Sequence, residues 1–107
     1  MGITVINSMD EFNVVINSSR SNVIDFWATG SGPCQEISPV FEELSEDVHQ
    51  VGFYRVDFDK HPDIAQGVGI HVTPTFIFYK NGQKMKQLAR IDPVALKGLV
   101  YTAMCTH

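Results

Sequence analysis

The sequence predicts an α/β fold in which a central mixed β-sheet is flanked by helices on both faces. Strand-like and helix-like segments alternate in the order β-α-β-α-β-α-β-β-α, and the initial crossover units favour parallel strands. The last two strands flank Asn81-Gly82, a dipeptide typical of tight hairpin turns, so they are antiparallel. With 107 residues, 44% of them hydrophobic, the chain is predicted to form one domain spanning residues 1–107.

Helix caps and apolar runs define the individual elements. Ser8 and Glu11 form a capping box before the first helix, and Asp92 followed by Pro93 begins the last one. Asp59 and Pro62 are predicted to open a short third helix. The predicted strands are 4–6, 23–27, 53–57, 75–79 and 84–89, and the predicted helices are 9–17, 34–49, 59–67 and from 93 onward.

Charge and hydropathy exclude two classes of partner. The formal net charge is −4 and the eight basic residues are scattered, which argues against nucleic acid. Apolar runs stay shorter than the roughly 18 residues of a membrane span. The chain begins directly with a strand pattern, so we expect a cytoplasmic protein. We also expect a monomer.

Neither the cysteines nor the histidines indicate a metal site or a disulfide framework. Cys34 and Cys105 are expected to remain thiols, with Cys105 buried or half-buried in the last helix; an exposed thiol that forms intermolecular disulfides is the alternative. His49, His61 and His107 lack metal-ligand spacing and are interpreted as surface residues.

Residues 23–34, which read Val-Ile-Asp-Phe-Trp-Ala-Thr-Gly-Ser-Gly-Pro-Cys, form the most informative segment. The segment resembles the thioredoxin family, whose members read Asp-Phe-Trp-Ala-x-Trp-Cys-Gly-Pro-Cys. Ser31 therefore stands at the first cysteine and Gly30 at the tryptophan before it. Val72-Thr73-Pro74-Thr75-Phe76 is similar to the family's cis-proline segment, and the resemblance covers roughly the whole chain. It implies the thioredoxin fold and a lineage of cofactor-free protein-disulfide reduction and electron transport.

Ser31 has a direct chemical consequence for that activity. Dithiol exchange needs one thiolate to attack a target disulfide and a second thiol to resolve the mixed disulfide. A serine hydroxyl forms no disulfide intermediate, so Cys34 could act only as the resolving partner. The sequence therefore predicts an active-site variant that cannot complete the Cys-x-x-Cys cycle.

Asp25 is the candidate proton acceptor of the site. It lies between apolar residues in a predicted strand, and burial without a charge partner would raise its pKa. The resemblance implies that it assists deprotonation of Cys34. Arg55 stands where the family has a core-facing lysine, and a solvent-facing position on its strand is equally compatible with the sequence.

The resemblance also implies a surface that binds extended segments of protein targets, and thioredoxin reductase as a possible partner. Val72, Thr73 and Pro74 would offer backbone hydrogen bonds to such a segment. Pro33 and Gly32 form the turn before Cys34. At this surface Gly30 removes an aromatic residue, and Arg90 replaces a glycine typical of the family.

Three alternatives remain open at this point. The chain could be a non-enzymatic binding or chaperone-like module, or a monothiol protein that uses Cys34. A hydrolase with Ser31 as nucleophile would require a histidine beside it, and His71, three residues before Pro74, is the candidate. Natural divergence and a laboratory substitution would both produce Ser31, and the accompanying changes at Gly30 and Arg90 favour divergence.

Overall fold

The computed structural model describes residues 2–106, in which five strands form one mixed sheet. The strands are β1 (Thr4–Val5), β2 (Asn22–Trp27), β3 (Gly52–Asp57), β4 (Thr75–Lys80) and β5 (Gln83–Leu88). The helices are α1 (Met9–Ile16), α2 (Gly32–Asp47), α3 (Pro62–Val68) and α4 (Pro93–Cys105). The strand order is β1-β3-β2-β4-β5, parallel among the first three and antiparallel at β4 and β5. The predicted fold class is confirmed.

Two apolar clusters show that helices cover both faces of the sheet. One cluster joins Phe41 of α2 and Leu96 of α4 to Val23, and the other joins Phe12 of α1 and Ile64 of α3 to Ile24. Successive residues of β2 thus contribute to opposite clusters, as the alternating side chains of a strand require. A central strand buried on both faces explains why β2 reads as an almost continuous apolar run.

The predicted boundaries differ from the observed ones mainly at α2 and α3. Helix α2 begins at Gly32 because Ser31 caps it, whereas the prediction began it at Cys34. Helix α3 begins at Pro62, and its N-cap is His61 rather than Asp59. Asp57 instead holds the preceding turn, since its Oδ1 accepts hydrogen bonds from the backbone N–H groups of Asp59 and Lys60.

The hairpin between β4 and β5 forms as predicted. Asn81 and Gly82 have φ values of 54° and 78°, the left-handed pair that a type I′ turn needs. This turn pairs Tyr79 with Lys84, and a one-residue register shift between Phe78 and Tyr79 then sets the pairing of the rest of β5.

Cys105 is exposed, so the expectation that it is buried or half-buried was wrong. The buried residues of α4 are Leu96, Leu99, Val100 and Ala103, which follow helical spacing. Cys105 comes two positions after Ala103, which turns it away from that stripe. His107 lies outside the described residues. None of the helices in residues 2–106 is long and apolar enough to cross a membrane.

Candidate active site

Ser31 and Cys34 lie at the first turn of α2, directly after β2. Ser31 is the N-cap: its Oγ accepts a hydrogen bond from the backbone N–H of Cys34 at 3.3 Å. The side chain of Cys34 is buried, with 4% of its surface exposed, and its Sγ accepts from the N–H of Ala28 at 3.5 Å. The hydroxyl therefore serves the helix, while the sulfur faces the end of β2.

The turn before α2 is open at its surface. Gly30 has a φ of 82°, and a Cβ atom added there would meet nothing within 4 Å. A side chain at this position would have room but would be strained by the backbone conformation. Gly32 and Pro33 are exposed, and Pro33 occupies the first turn of the helix, where the missing N–H costs nothing. The loop thus presents small residues to solvent directly before the buried Cys34.

Asp25 is buried in β2, as predicted, but it has a charge partner. Its register partner on β3 is Arg55, and Arg55 Nε donates to Asp25 Oδ2 at 3.2 Å. Burial raises the pKa of Asp25 to about 6, and the guanidinium of Arg55 offsets part of that rise. The sequence left open whether Arg55 would meet this carboxylate; it does, and the direction of the pKa change agrees with the prediction.

Arg55 faces the core rather than solvent. Its side chain is 15% exposed, and its guanidinium lies over the rings of Trp27 and Phe41, at 5.4 and 5.9 Å from their centroids. Nη2 donates to Ser38 Oγ at 2.8 Å, and Nη1 lies 3.9 Å from Glu42 Oε2. Aromatic faces and polar contacts together accommodate the cation on the α2 side of the sheet.

Sequence reasoning missed Ser38 and Glu42 as parts of this site. Both follow Cys34 at steps of four residues on α2, so Cys34, Ser38 and Glu42 lie along one face of the helix. That spacing was the signal in the sequence that could have placed Ser38 and Glu42 near Cys34. Both residues join the site only because Arg55 faces α2, and the sequence left the direction of Arg55 open.

The second loop of the site contains the cis peptide bond between Thr73 and Pro74. Thr75 Oγ1 donates to the carbonyl of Val72 at 2.7 Å, which closes the turn before β4. Pro74 is buried, whereas Val72 is 54% exposed. The pairing of Thr75 with Phe26 at the end of β2 brings this loop to the sheet edge where α2 begins.

Arg90 belongs to the third loop at that edge, two residues after Leu88, which pairs with Phe76. Its side chain is exposed, and its Nε lies 3.9 Å from Asp92 Oδ2. Ion pairs at such exposed positions contribute little to stability. The structure thus brings the loops that carry Ser31, Pro74 and Arg90 together at one end of the sheet, where β2 ends and β4 begins.

The hydrolase alternative finds no support in residues 2–106. His71 is exposed and makes no hydrogen bond to Ser31, so the pair lacks the geometry of an activated nucleophile. No group of three or more histidine, cysteine or acidic side chains in the same range could hold a metal ion.

Comparison with known proteins agrees with the fold. The family model described as Thioredoxin matches residues 3–99. The chain belongs to the thioredoxin family. Thioredoxin of Malassezia sympodialis is 47% identical over 100 residues, which cover 92% of this chain and 95% of that protein.

Solved structures of thioredoxins resemble the chain closely. The crystal structure of Malassezia sympodialis thioredoxin has a TM-score of 0.92, with 44% identity over 98% of this chain and 96% of that one. A cysteine-to-serine mutant of Entamoeba histolytica thioredoxin has a TM-score of 0.87, with 35% identity over 94% of this chain and 98% of that one. The chain therefore belongs to a lineage of thiol-disulfide redox proteins.

Proposed function

We propose that this thioredoxin-family protein has lost dithiol turnover because Ser31 occupies the position of the attacking cysteine. The remaining groups of the site are those that support the second half of the cycle: Cys34 as a resolving thiol and Asp25 as its proton acceptor. The redox cycle requires both halves, so the chain acts on disulfides only if another thiol performs the attack.

The observation that carries this proposal is the position of the Ser31 hydroxyl. It caps α2 and accepts from the N–H of Cys34, at the helix end that would stabilise a thiolate. The second cysteine of the chain, Cys105, is at the last residue of α4 and exposed. It is not a member of the first turn of α2, so it offers no replacement for the missing thiol within the motif.

The first test is turnover by the chain as it stands. With thioredoxin reductase and NADPH, we expect reduction of a protein disulfide no faster than the reaction without the chain, because no attacking thiolate is present. Oxidation of NADPH followed by absorbance measures this rate. Turnover within about tenfold of an active thioredoxin would contradict the proposal, since loss of a covalent nucleophile normally costs several orders of magnitude.

Burial of Cys34 separates this proposal from a monothiol function. Cys34 is 4% exposed, whereas Cys105 is exposed at the end of α4. In the native protein at pH 7 we expect iodoacetamide to modify Cys105 at least about tenfold faster, because reactive cysteines require solvent access. Mass spectrometry of the two peptides over time measures both rates. The unfolded chain is the control, in which the two rates should converge. Preferential modification of Cys34 would favour a monothiol function.

A second candidate function is supported by the loop before β4. Val72 is an exposed apolar residue beside the buried cis Pro74, at the edge of the sheet where α2 begins. We propose that this loop contacts extended segments of protein targets, with Gly30, Thr73 and Arg90 nearby on the same edge. Such binding needs no thiol, so a binding or chaperone-like module is the alternative to redox activity.

Partners and location complete the proposal. We propose protein targets, and thioredoxin reductase where a redox role persists, as the partners of a monomer. We also propose a cytosolic location, a compartment in which Cys34 and Cys105 remain reduced. Affinity of the chain for thioredoxin reductase, measured by calorimetry, tests the reductase as a partner independently of turnover.

A further inference from the structure

The ion pair between Arg55 and Asp25 uses one hydrogen bond. Arg55 Nε donates to Asp25 Oδ2 at 3.2 Å. Asp25 Oδ1 is also buried, and among residues 2–106 it has no hydrogen-bond partner. Arginine frequently meets a carboxylate through two parallel N–H bonds, which favour the charged form more strongly than one. Here the second bond of that arrangement is missing.

Ser38 holds the nitrogen that would complete the pair. Nε and Nη2 share one edge of the guanidinium, the edge from which side-on pairs with carboxylates form. Nη2 donates to Ser38 Oγ at 2.8 Å, a shorter contact than the one from Nε to Asp25. Ser38 is one helical turn after Cys34 on α2, so this hydrogen bond links the helix of the site to β3.

Two aromatic rings restrict how the guanidinium can rotate. The guanidinium carbon lies 5.4 Å from the centroid of Trp27 and 5.9 Å from that of Phe41. Both distances fall within the range of cation–π attraction. Nη2 carries two N–H groups, so its bond to Ser38 does not by itself exclude a bond to Asp25. Position excludes it: Nη2 lies against Ser38 Oγ, and Asp25 Oδ1 has no hydrogen-bond partner among residues 2–106.

We propose that Ser38 is a positioning residue that keeps Arg55 to a single hydrogen bond with Asp25 and so leaves Asp25 Oδ1 available to accept a proton. The proposal rests on the proposed role of Asp25 as proton acceptor for Cys34. Ser38 acts through Arg55 and does not itself take part in proton transfer.

Arg55 is the charged residue that contacts Asp25 directly. In the sheet, its β3 partner is Arg55 and its β4 partner is the apolar Phe76. From α2, Cys34 is the titratable group of the first turn, and Glu42 reaches Arg55 Nη1 at 3.9 Å. Glu42 is 58% exposed, so solvent screens its effect on the pair.

The Ser38→Ala substitution in the full-length chain tests the proposal. The variant releases Nη2 from α2, so the guanidinium shifts toward Asp25 until Nη2 completes a two-bond pair with it. We expect the pKa of Asp25, followed by carboxyl-carbon NMR, to fall by about one pH unit from its value in the unmodified chain. Alanine is a strong helix former, so the variant is expected to fold. An unchanged or higher pKa of Asp25 in a folded Ser38→Ala protein would overturn the proposal.

Two further variants separate positioning from a merely structural effect. Ser38→Thr keeps a hydroxyl acceptor and should restore the original pKa of Asp25. In an Arg55→Lys background the planar two-nitrogen edge is absent, so adding Ser38→Ala should change the pKa of Asp25 by less than about 0.3. An equal effect of Ser38→Ala in both backgrounds would contradict positioning through Arg55.

The readout also distinguishes this proposal from the proposed function. Titration of Asp25 needs neither thioredoxin reductase nor a disulfide substrate. A chain that proves active with the reductase would overturn the loss of turnover while leaving the role of Ser38 intact. If the pKa of Asp25 is the same with and without the Ser38 hydroxyl, the role of Ser38 is overturned while the loss of turnover stands.

Discussion

Replacing Ser31 by cysteine is expected to restore reduction of protein disulfides with thioredoxin reductase and NADPH. Residues three apart on a helix have Cβ atoms roughly 5–6 Å apart, a separation that modest local adjustment can bring to the roughly 3.5–4.5 Å typical of a disulfide. The new thiol would occupy the N-cap position of α2, where the helix dipole favours a thiolate. Because loss of a covalent nucleophile costs several orders of magnitude, we expect a gain of at least about 1000-fold.

Two controls identify the source of that gain. Ser31→Ala removes the hydroxyl without adding sulfur, so it should stay inactive and lose about 1 kcal/mol of stability with the cap. Adding Cys34→Ser to Ser31→Cys leaves an attacking thiol with no resolving partner, and a mixed disulfide with the substrate should accumulate. If folded Ser31→Cys shows background turnover only, then Asp25, Cys34 or the loop before β4 has lost the geometry that turnover requires.

The single substitution is the appropriate variant because of Gly30. The family's tryptophan at this position is absent, yet restoring it would place a bulky residue at a φ of 82°. Failure of a Gly30→Trp double mutant could then reflect strain in the loop. Ser31→Cys leaves the backbone of Gly30 as it is and tests the thiol alone.

The sequence predicted the fold well because its main signals are local. The Ser8 cap, the Asn81-Gly82 turn and the alternation of apolar runs each depend on neighbouring residues, and each appears in the structure. The capping box is only half formed, because Glu11 Oε1 accepts from the backbone N–H of Asn7 rather than that of Ser8. Cys105 shows the limit of this approach. Its exposure depends on which stripe of α4 faces the sheet, and a largely apolar helix gives little indication of that.

The electrostatics of the site could not be predicted because they depend on tertiary contacts. Asp25 and Arg55 are 30 residues apart and meet through the parallel pairing of β2 with β3. The sequence indicated burial of Asp25 but left the direction of Arg55 open. Once Arg55 faces α2, Ser38 and Glu42 become part of the same network.

Asp25→Asn is expected to change how the stability of the chain depends on pH. The pKa of Asp25 is about 6 in the folded protein, against 3.8 for an ordinary aspartate. The folded state therefore binds the proton more tightly than the unfolded state does. The contribution of Asp25 to the free energy of unfolding is most favourable below about pH 4, falls as the pH rises toward 6, and stays low above that value.

Asparagine carries no titratable proton, so the Asp25→Asn variant does not lose this stability as the pH rises. Its side-chain oxygen can still accept a hydrogen bond from Arg55 Nε. The free energy of unfolding of Asp25→Asn, relative to the unmodified chain, should rise by up to about 3 kcal/mol between pH 3.5 and pH 7.5. Urea unfolding across this range measures the difference, and constant effects of the substitution cancel. Asp59→Asn, at an exposed position, removes the same charge and controls for net charge alone. A difference that stays flat with pH, or that falls as pH rises, would show that Asp25 is not the buried, proton-retaining carboxyl that its place in β2 indicates.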